Sequence, residues 1–474
     1  MLETLADHDD ELMEQLLEDI QPQRDKVFDD LAKELRDGQV CPVLLGSATR
    51  TNGVLRLLKA LRHEAPGVEA TAKRLGLEKA GNEGIAYVMK TVHTAHSGKM
   101  SIVRVLNGTI AEGAQLVGPS DTVDRVSGVF KLFGQQNEKR GPASAGDTVA
   151  LGKLDHAKTG ETLSSSKQAP GQLAKAAANP PVLAIAAAAK ERKDDVKLGQ
   201  ALNKLAEEDP SLSVQHNPET HEVVMWGQGE MHLRVAGERL SERFSVGVTT
   251  RPPTVGYRET IRKPIQQRGR HKKQSGGHGQ FGDVVLDIKP LPRGSGFKFE
   301  EKITGGVVPR NYIPAVEEGV LDALKTGPLG FPVVDICVSL IDGSYHTVDS
   351  SDMAFRQAGR IGVADALPQC SPVLLEPIHE VEIVCPTEAT AKINAIMSAR
   401  RGQILGFDTR ESWTGWDAVR ALMPESEIGN LIVEVRSATA GVGTFTSKFD
   451  HMAEIAGRTA DQIIAARKAS AAAA

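Results

Sequence analysis

The sequence predicts a multidomain α+β chain: a small β-barrel, then two ferredoxin-like split βαβ units flanking a third α+β unit. Three observations predict it. At 474 residues the chain is long enough for three or more domains of about 100–200 residues. Aromatic residues make up only 4%, so the cores must come from Ala, Val, Leu and Ile, a supply that suits several small cores. The hydrophobic period also changes along the chain, from helical, to short strands, to strands interleaved with helices.

Residues 1–66 are helical in pattern. Leu2, Leu5, Leu12, Leu16 and Leu17 recur at helical spacing, as do Phe28, Leu31 and Leu35. Val40, Val43, Leu44 and Leu45 read as one short buried strand, Gly46-Ser47-Ala48 as a turn, and Val54 to Leu61 as a helix ended by Pro66-Gly67. Over 82–166, short β-rich runs at 85–88, 101–106, 115–117 and 148–151 alternate with turns at Asn107-Gly108, Glu112-Gly113 and Gly146-Asp147. That spacing predicts an antiparallel barrel. Residues 164–180 are small, polar and Pro-containing, which reads as a linker.

Residues 177–253 give strand, helix, strand, strand, helix, strand, the split βαβ order. Residues 254–378 form a third unit with a long Gly-rich insertion. Residues 379–462 repeat the split βαβ order, with a strand at 380–385, a helix at 387–400, strands near 402–407 and 416–423, a further helix and a strand at 431–435. The Ala-rich stretch 463–474 reads as a flexible tail.

Composition removes whole classes of function. No run approaches the roughly 18 apolar residues of a membrane span. The acidic start, MLETLADHDDELMEQL, is no secretory signal. Cys41, Cys337, Cys370 and Cys385 are scattered without a CxxC pair, which argues against a disulfide framework or a zinc site. A cytoplasmic monomer without membrane partners or bound metal is the expectation. Net charge is −5, so contact with nucleic acid must rest on a local patch.

Such a patch exists. Arg258, Arg262, Lys263, Arg268, Arg270, Lys272 and Lys273 stand against one acid, Glu259. Gly276, Gly277, Gly279 and Gly282 follow, with Gln274, Ser275, His278 and Gln280 between and beside them. Positive charge gives affinity for phosphate, and a glycine-rich polar loop brings backbone N–H groups close to it. Phe281 reads either as a stacking group or as the first core residue of the next strand. A second loop, Asp342-Gly343-Ser344-Tyr345-His346, precedes Asp349, Ser350 and Ser351. A stand-alone hydrolase built on His346 and Asp349 is the alternative of another class. It is disfavoured because neighbours on one loop rarely align as nucleophile, base and orienter, and no GxSxG elbow occurs. Asp349 or Ser350 is expected to cap the following helix.

Several separated motifs, in order, resemble one family. LLGSATRTNGV (44–54) is similar to the guanine-contacting motif of translational GTPases. SGKMSIVRVLNGTIAEG with AGDTVALGKLDHAKTGETL resembles the β-barrel second domain of elongation factor G. AEEDPSLSVQHNPETHEVVMWGQGEMHLRVAGERL (206–240) resembles its third domain, with Gln228 where Met is usual. GRHKKQSGGHGQFGDVVLDI (269–288), GGVVPRNYIPAVEEGVLDAL (305–324) and DGSYHTVDSSDMAFRQAG (342–359) resemble its fourth domain, a ribosomal-protein-like α+β fold. PTEATAKINAIMSARRGQILGF (386–407) and VRSATAGVGTF (435–445) resemble its fifth.

The resemblance covers about 1–462 and runs from the last part of the GTPase domain onward. It implies a cytoplasmic factor that works on both ribosomal subunits, beside transfer and messenger RNA. It implies RNA or ribosome contacts at Lys272, Lys273, Gln274, Gly276, Gly277, His278 and Gln280 on one tip and Ser344, Tyr345 and His346 on another. Arg400, Arg401, Arg436 and Lys448 are candidate contacts of the fifth domain. Ser47 and Ala48 are the guanine-binding remnant. The phosphate loop GxxxxGK[ST], the DxxG segment and NKxD do not occur in the chain. GTP hydrolysis by this chain alone is therefore not expected. No residue is assigned a catalytic role and no cofactor is expected here, with GTP and Mg belonging to the intact parent. Translocation, ribosome recycling and ribosome protection all remain compatible, and the Gly-Gly-His-Gly tip tilts the reading toward a paralogue.

Overall fold

The computed structural model describes residues 2–473 apart from 95–97, 135, 169, 176, 274–278, 305 and 411–412. It divides into two units, Met1–Ala178 with Asn203–Pro210 and Asn179–Leu202 with Ser211–Ala474.

In the first unit the helices Leu2–Ala6, Asp10–Leu17 and Arg24–Asp37 close on Leu5, Ala6, Leu12 and Leu31. Asp9 caps the second of them, its Oδ1 accepting the Leu12 N–H at 2.9 Å. The strand expected at 40–45 does not form. Val43 and Leu45 are 82% and 90% exposed, and only an isolated bridge, Ser47 to Asn52, occurs there. A strand needs a neighbouring ladder to satisfy its backbone, and no described segment supplies one. The helix Val54–Glu64 forms as expected but buries none of its residues. The barrel follows, with Ile85–Thr94 and Gly98–Asn107 at its centre, flanked by Thr162–Ser164 and Thr148–Gly152. Alternation sends Ala86, Val88, Val103, Val105 and Leu163 into its core.

The second unit opens with a four-stranded antiparallel sheet ordered Ser213–Asn217, Glu222–Gly227, Leu183–Ala189, Val248–Arg251. With the helices Asp195–Glu208 and Glu230–Phe244 it has the split βαβ order that the sequence predicts. The other split βαβ sheet is organised on one long strand, Pro372–Pro386. That strand runs across the boundary expected at 378/379. Its first residues pair with Arg258–Ile261, and the rest pairs with Trp416–Pro424 and Thr444–Ile455. Residues 431–435, read as a strand, lie in a helix, Leu431–Ala438. Leu431, Ile432 and Val435 bury together on one face at helical spacing, and a short apolar run is ambiguous between the two states. The stretch expected as a flexible tail is the helix Arg458–Ala473. Its Ala460, Ile463 and Ile464 pack with Phe331, Leu374 and Ile455, and Arg467 Nε donates to the Gly330 carbonyl at 3.0 Å.

Between these lies the sheet that carries the tips. Its strand order is Ile265–Lys273, Gln280–Pro290, Ile336–Ser344, Phe297–Glu301, the last pair parallel. The helices Ile313–Leu324 and Asp352–Ala366 share its core, which includes Val284, Leu286, Ile288, Val316, Val320, Val338, Leu340 and Phe355. Backbone approaches backbone here. A Cβ on Gly319 would meet the Arg356 carbonyl at 2.0 Å, and one on Gly269 would meet the Ala358 carbonyl at 2.2 Å. Glycine at these positions lets one helix seat directly on the other helix and on the hairpin.

Candidate functional site

Period-two alternation sends Arg268, Arg270 and Lys272 to one face of the sheet and Gly269 toward the helices. Opposite Arg270 and Ser344 in register stands Asp283. Its carboxylate accepts Arg268 Nε at 2.8 Å and Nη2 at 2.5 Å, and Ser344 Oγ at 2.7 Å. Burial pushes the Asp283 pKa up, yet the Arg268 fork and the Ser344 hydroxyl hold it below the ordinary carboxylate value. Ser344 therefore ties its own loop to the basic strand.

The two tips are bolted together at a second point. The Phe281 N–H donates to the Asp349 carbonyl at 2.8 Å. Ser350 Oγ donates to the Phe281 carbonyl at 2.9 Å and accepts the His346 N–H at 2.9 Å. The Gly279 N–H donates to Asp349 Oδ1 at 3.0 Å. His346 Nδ1 lies 3.2 Å from the Asp349 amide nitrogen and 3.3 Å from its Oδ2. The neutral ring accepts from the amide, and a protonated ring donates to the carboxylate. In both states the ring is held at the apex, and it stays exposed with Tyr345.

This geometry settles details that the sequence left open. Phe281 is half-exposed on the sheet face that carries Arg270, whose guanidinium lies 5.6 Å from the ring centroid. The His346 ring meets it edge to face at 6.4 Å. The helix cap is Ser351, not Asp349 or Ser350, because Ser351 Oγ accepts the Ala354 N–H at 3.3 Å. The hydrogen bonds of Ser350 Oγ and Ser351 Oγ run to backbone groups, so neither is paired with the His346 ring as a nucleophile would be. Lys272, Lys273 and Gln280 are exposed, with Gln280 Oε1 2.9 Å from His271 Nε2. Gln274, Gly276, Gly277 and His278 lie outside the described residues.

The remaining candidates sit elsewhere. Arg400 bonds Glu434 and Asn430 at 2.8 Å each and also reaches the Glu427 carbonyl. Arg401 bonds Glu376 at 2.9 Å and Glu427 at 3.1 Å. Both guanidinium groups hold their own domain together. Arg436 Nη1 donates to the Gln228 carbonyl at 2.5 Å, and Gln228 Nε2 donates to the Asn179 carbonyl at 2.8 Å. At the Ser47-Ala48 turn, the Ser47 N–H donates to the Asn52 carbonyl at 3.0 Å and Ser47 Oγ lies 3.4 Å from Thr49 Oγ1. The Ser47 N–H and Oγ are thus spent within the turn itself. Sequence reasoning missed the Asp283 network. Its residues were visible, but their meeting depends on cross-strand register.

Four family models match in succession: Elongation factor G domain 2 over 84–166, domain III over 179–252, domain IV over 253–371 and the C-terminus over 373–463. An "Elongation factor G-like protein" of Synechocystis sp. is 48% identical over 96% of this chain and 67% of its own length. An "Elongation factor G" of Aquifex pyrophilus is 37% identical over 99% of this chain and 68% of its own. The crystal structure of a Thermus thermophilus protein superposes with a TM-score of 0.81 at 34% identity, covering 98% of this chain and 69% of that one.

Proposed function

Because the chain belongs to the elongation factor G family of translation factors, we propose that it is the ribosome-contacting part of a factor promoting translocation of transfer and messenger RNA. Under this reading GTP and Mg act in the intact parent, with the backbone of Ser47 and Ala48 lying against the guanine. The chain's own residues perform no covalent step. They present a rigid polar tip to RNA.

The observation that carries the reading is the double fastening of the tip. Loops of polar residues ordinarily lose contact energy to their own flexibility. Here Asp283 clamps Arg268 and Ser344, and Asp349 with Ser350 clamps Gly279, Phe281 and His346. An exposed histidine, a tyrosine and two lysines are thereby set on a stiff mount, which lowers the ordering cost of binding.

The test is a cleavage footprint. Cys41 is exposed, so it is first changed to Ser. A tethered iron chelate is then placed on Tyr345→Cys, and the chain is bound to purified bacterial ribosomes. The reading predicts strand scission confined to small-subunit RNA of the decoding region. Scission only at distant sites, or none above the Cys41→Ser control carrying no tether at position 345, overturns it.

A further inference from the structure

The sheet Ile265–Lys273, Gln280–Pro290, Ile336–Ser344, Phe297–Glu301 has two faces, and only one packs into the core shared with the helices. Register fixes what the other face holds. Along the first strand stand Arg268, Arg270 and Lys272. Across the middle strands stand Asp283 beside Ser344 and Asp287 beside Ser339. On the last strand stand Lys298 and Glu300, with Lys302 just beyond its end, and Lys289 stands on the inner strand Gln280–Pro290.

The charges on this face are layered. Asp283, Asp287 and Ser339 are 1%, 8% and 1% exposed. The side chains of Arg268, Lys289, Lys298 and Lys302 keep 62%, 54%, 61% and 53% of their surface in water. Lys289 Nζ bonds Asp287 at 2.6 Å, and Lys298 and Lys302 grip Glu300 at 2.7 and 2.6 Å. That grip pulls the Glu300 pKa down to about 2, so the anion persists under the cations at any ordinary pH. Asp283 and Asp287 form a buried floor, Glu300 is half-buried, Asp342 is exposed, and the bases form the outer layer. Arg268, Arg270 and Lys272 lie on one edge strand and Lys298 and Lys302 at the other, about three strand spacings or roughly 14 Å away, with Lys289 between them. Six cations (Arg268, Arg270, Lys272, Lys289, Lys298, Lys302) stand against four acids (Asp283, Asp287, Glu300 and Asp342), in a chain whose net charge is −5.

We infer that this uncovered face is a second RNA-binding surface, which takes the phosphate backbone of an RNA running from the tip down the sheet. Complementary charge selects the partner: exposed cations line both edge strands with Lys289 between them, and phosphate is the anion that a nucleic acid presents in rows. The face joins the tip without a break, since Arg270 lies over Phe281 and Asp283 bonds Ser344. The floor carboxylates hold the lysine ends in place and set them outward. The inference rests on the ribosome reading above.

The experiment measures binding of the full chain to purified bacterial ribosomes by fluorescence anisotropy over a salt series. It compares wild type, a face variant (Lys289→Gln/Lys298→Gln/Lys302→Gln), a tip variant (Lys273→Ala/His346→Ala) and a charge-retaining control (Lys289→Arg/Lys298→Arg/Lys302→Arg). Thermal melts confirm that all are folded. Each phosphate contact contributes about 0.7–0.9 to the slope of log affinity against log salt, so the face variant is expected to lose about 2 from that slope while the arginine control keeps it. A face variant with wild-type slope and affinity, beside a weakened tip variant, overturns the second surface and leaves the tip reading standing. A face variant weakened equally at every salt concentration overturns RNA as the occupant and points to a protein surface. Ribosome binding unmoved by either variant, or absent, removes the underlying reading and the inference with it.

Discussion

At the scale of single residues, Asp283 has the most to lose. It is buried, fully bonded and shared between two tips. Asp283→Asn keeps the shape but removes the charge that Arg268 and Ser344 address. Loss of a charge-assisted network of this kind costs about 1–3 kcal/mol, measurable as a shift in denaturant midpoint. The pH dependence has a definite sign. The folded pKa lies below the unfolded value near 3.8, so the stabilisation is complete above that value and is lost as pH falls through the depressed folded pKa. Amide exchange at Gly279 and Phe281 is expected to accelerate in that acid window in the wild type. In Asp283→Asn it should already be fast at neutral pH. Unchanged exchange in the variant would detach Asp283 from tip order. Glu259 behaves oppositely. Burial raises its pKa against the amide donors of Leu329 and Phe331, so protonation favours the folded form as pH falls through that raised value.

At the scale of elements, packing decides what propensity does not. Gly319→Ala drives a Cβ into the Arg356 carbonyl, 2.0 Å away, and overpacking of this kind costs about 1–3 kcal/mol or more. Leu55→Gln with Leu58→Gln offers a contrast. Both leucines are exposed on a helix with no buried residue, so each change should stay within about 0.5 kcal/mol. Deleting 458–474 strips Ile463 and Ile464 from Phe331, Leu374 and Ile455. At about 1.5–3 kcal/mol for each large apolar side chain uncovered, the second unit should melt several degrees earlier.

These elements also mark how far the sequence was legible. Helix and strand periods located the barrel and both split βαβ units, because their patterns are strong and local, whereas the tip loop and strand at 269–288 were read from the resemblance. The stretch at 40–45 misled because its apolar run resembles a strand, while pairing requires a partner that periodicity cannot reveal. Leu431–Ala438 misled because β-branched residues filled a short helix. Ala-rich 463–473 looked loose because the partners of Ile463 and Ile464 lie far away in sequence. Of the tip, the exposed lysines and His346 were visible. The clamps of Asp283, Asp349 and Ser350 depend on register and were not.

At the scale of the whole molecule, an acidic chain must rely on local placement of charge to meet RNA. Net charge of −5 opposes attraction at long range, so binding should be strongly salt-dependent and confined to the faces where cations gather. Arg400 and Arg401, held by Glu376, Glu427 and Glu434, are expected to influence stability more than ribosome affinity. Arg401→Ala should lower the melting temperature and leave the salt slope of binding unchanged.

The most direct test of the central claim is co-sedimentation of the chain with purified ribosomes across a salt series, with wild type beside Lys272→Ala/Lys273→Ala/His346→Ala. The account predicts binding that weakens as salt rises and weakens further in the variant, with a shallower salt slope. Equal binding by both proteins at every salt concentration, with both folded, would contradict the claim that the fastened tip is an RNA-contacting element.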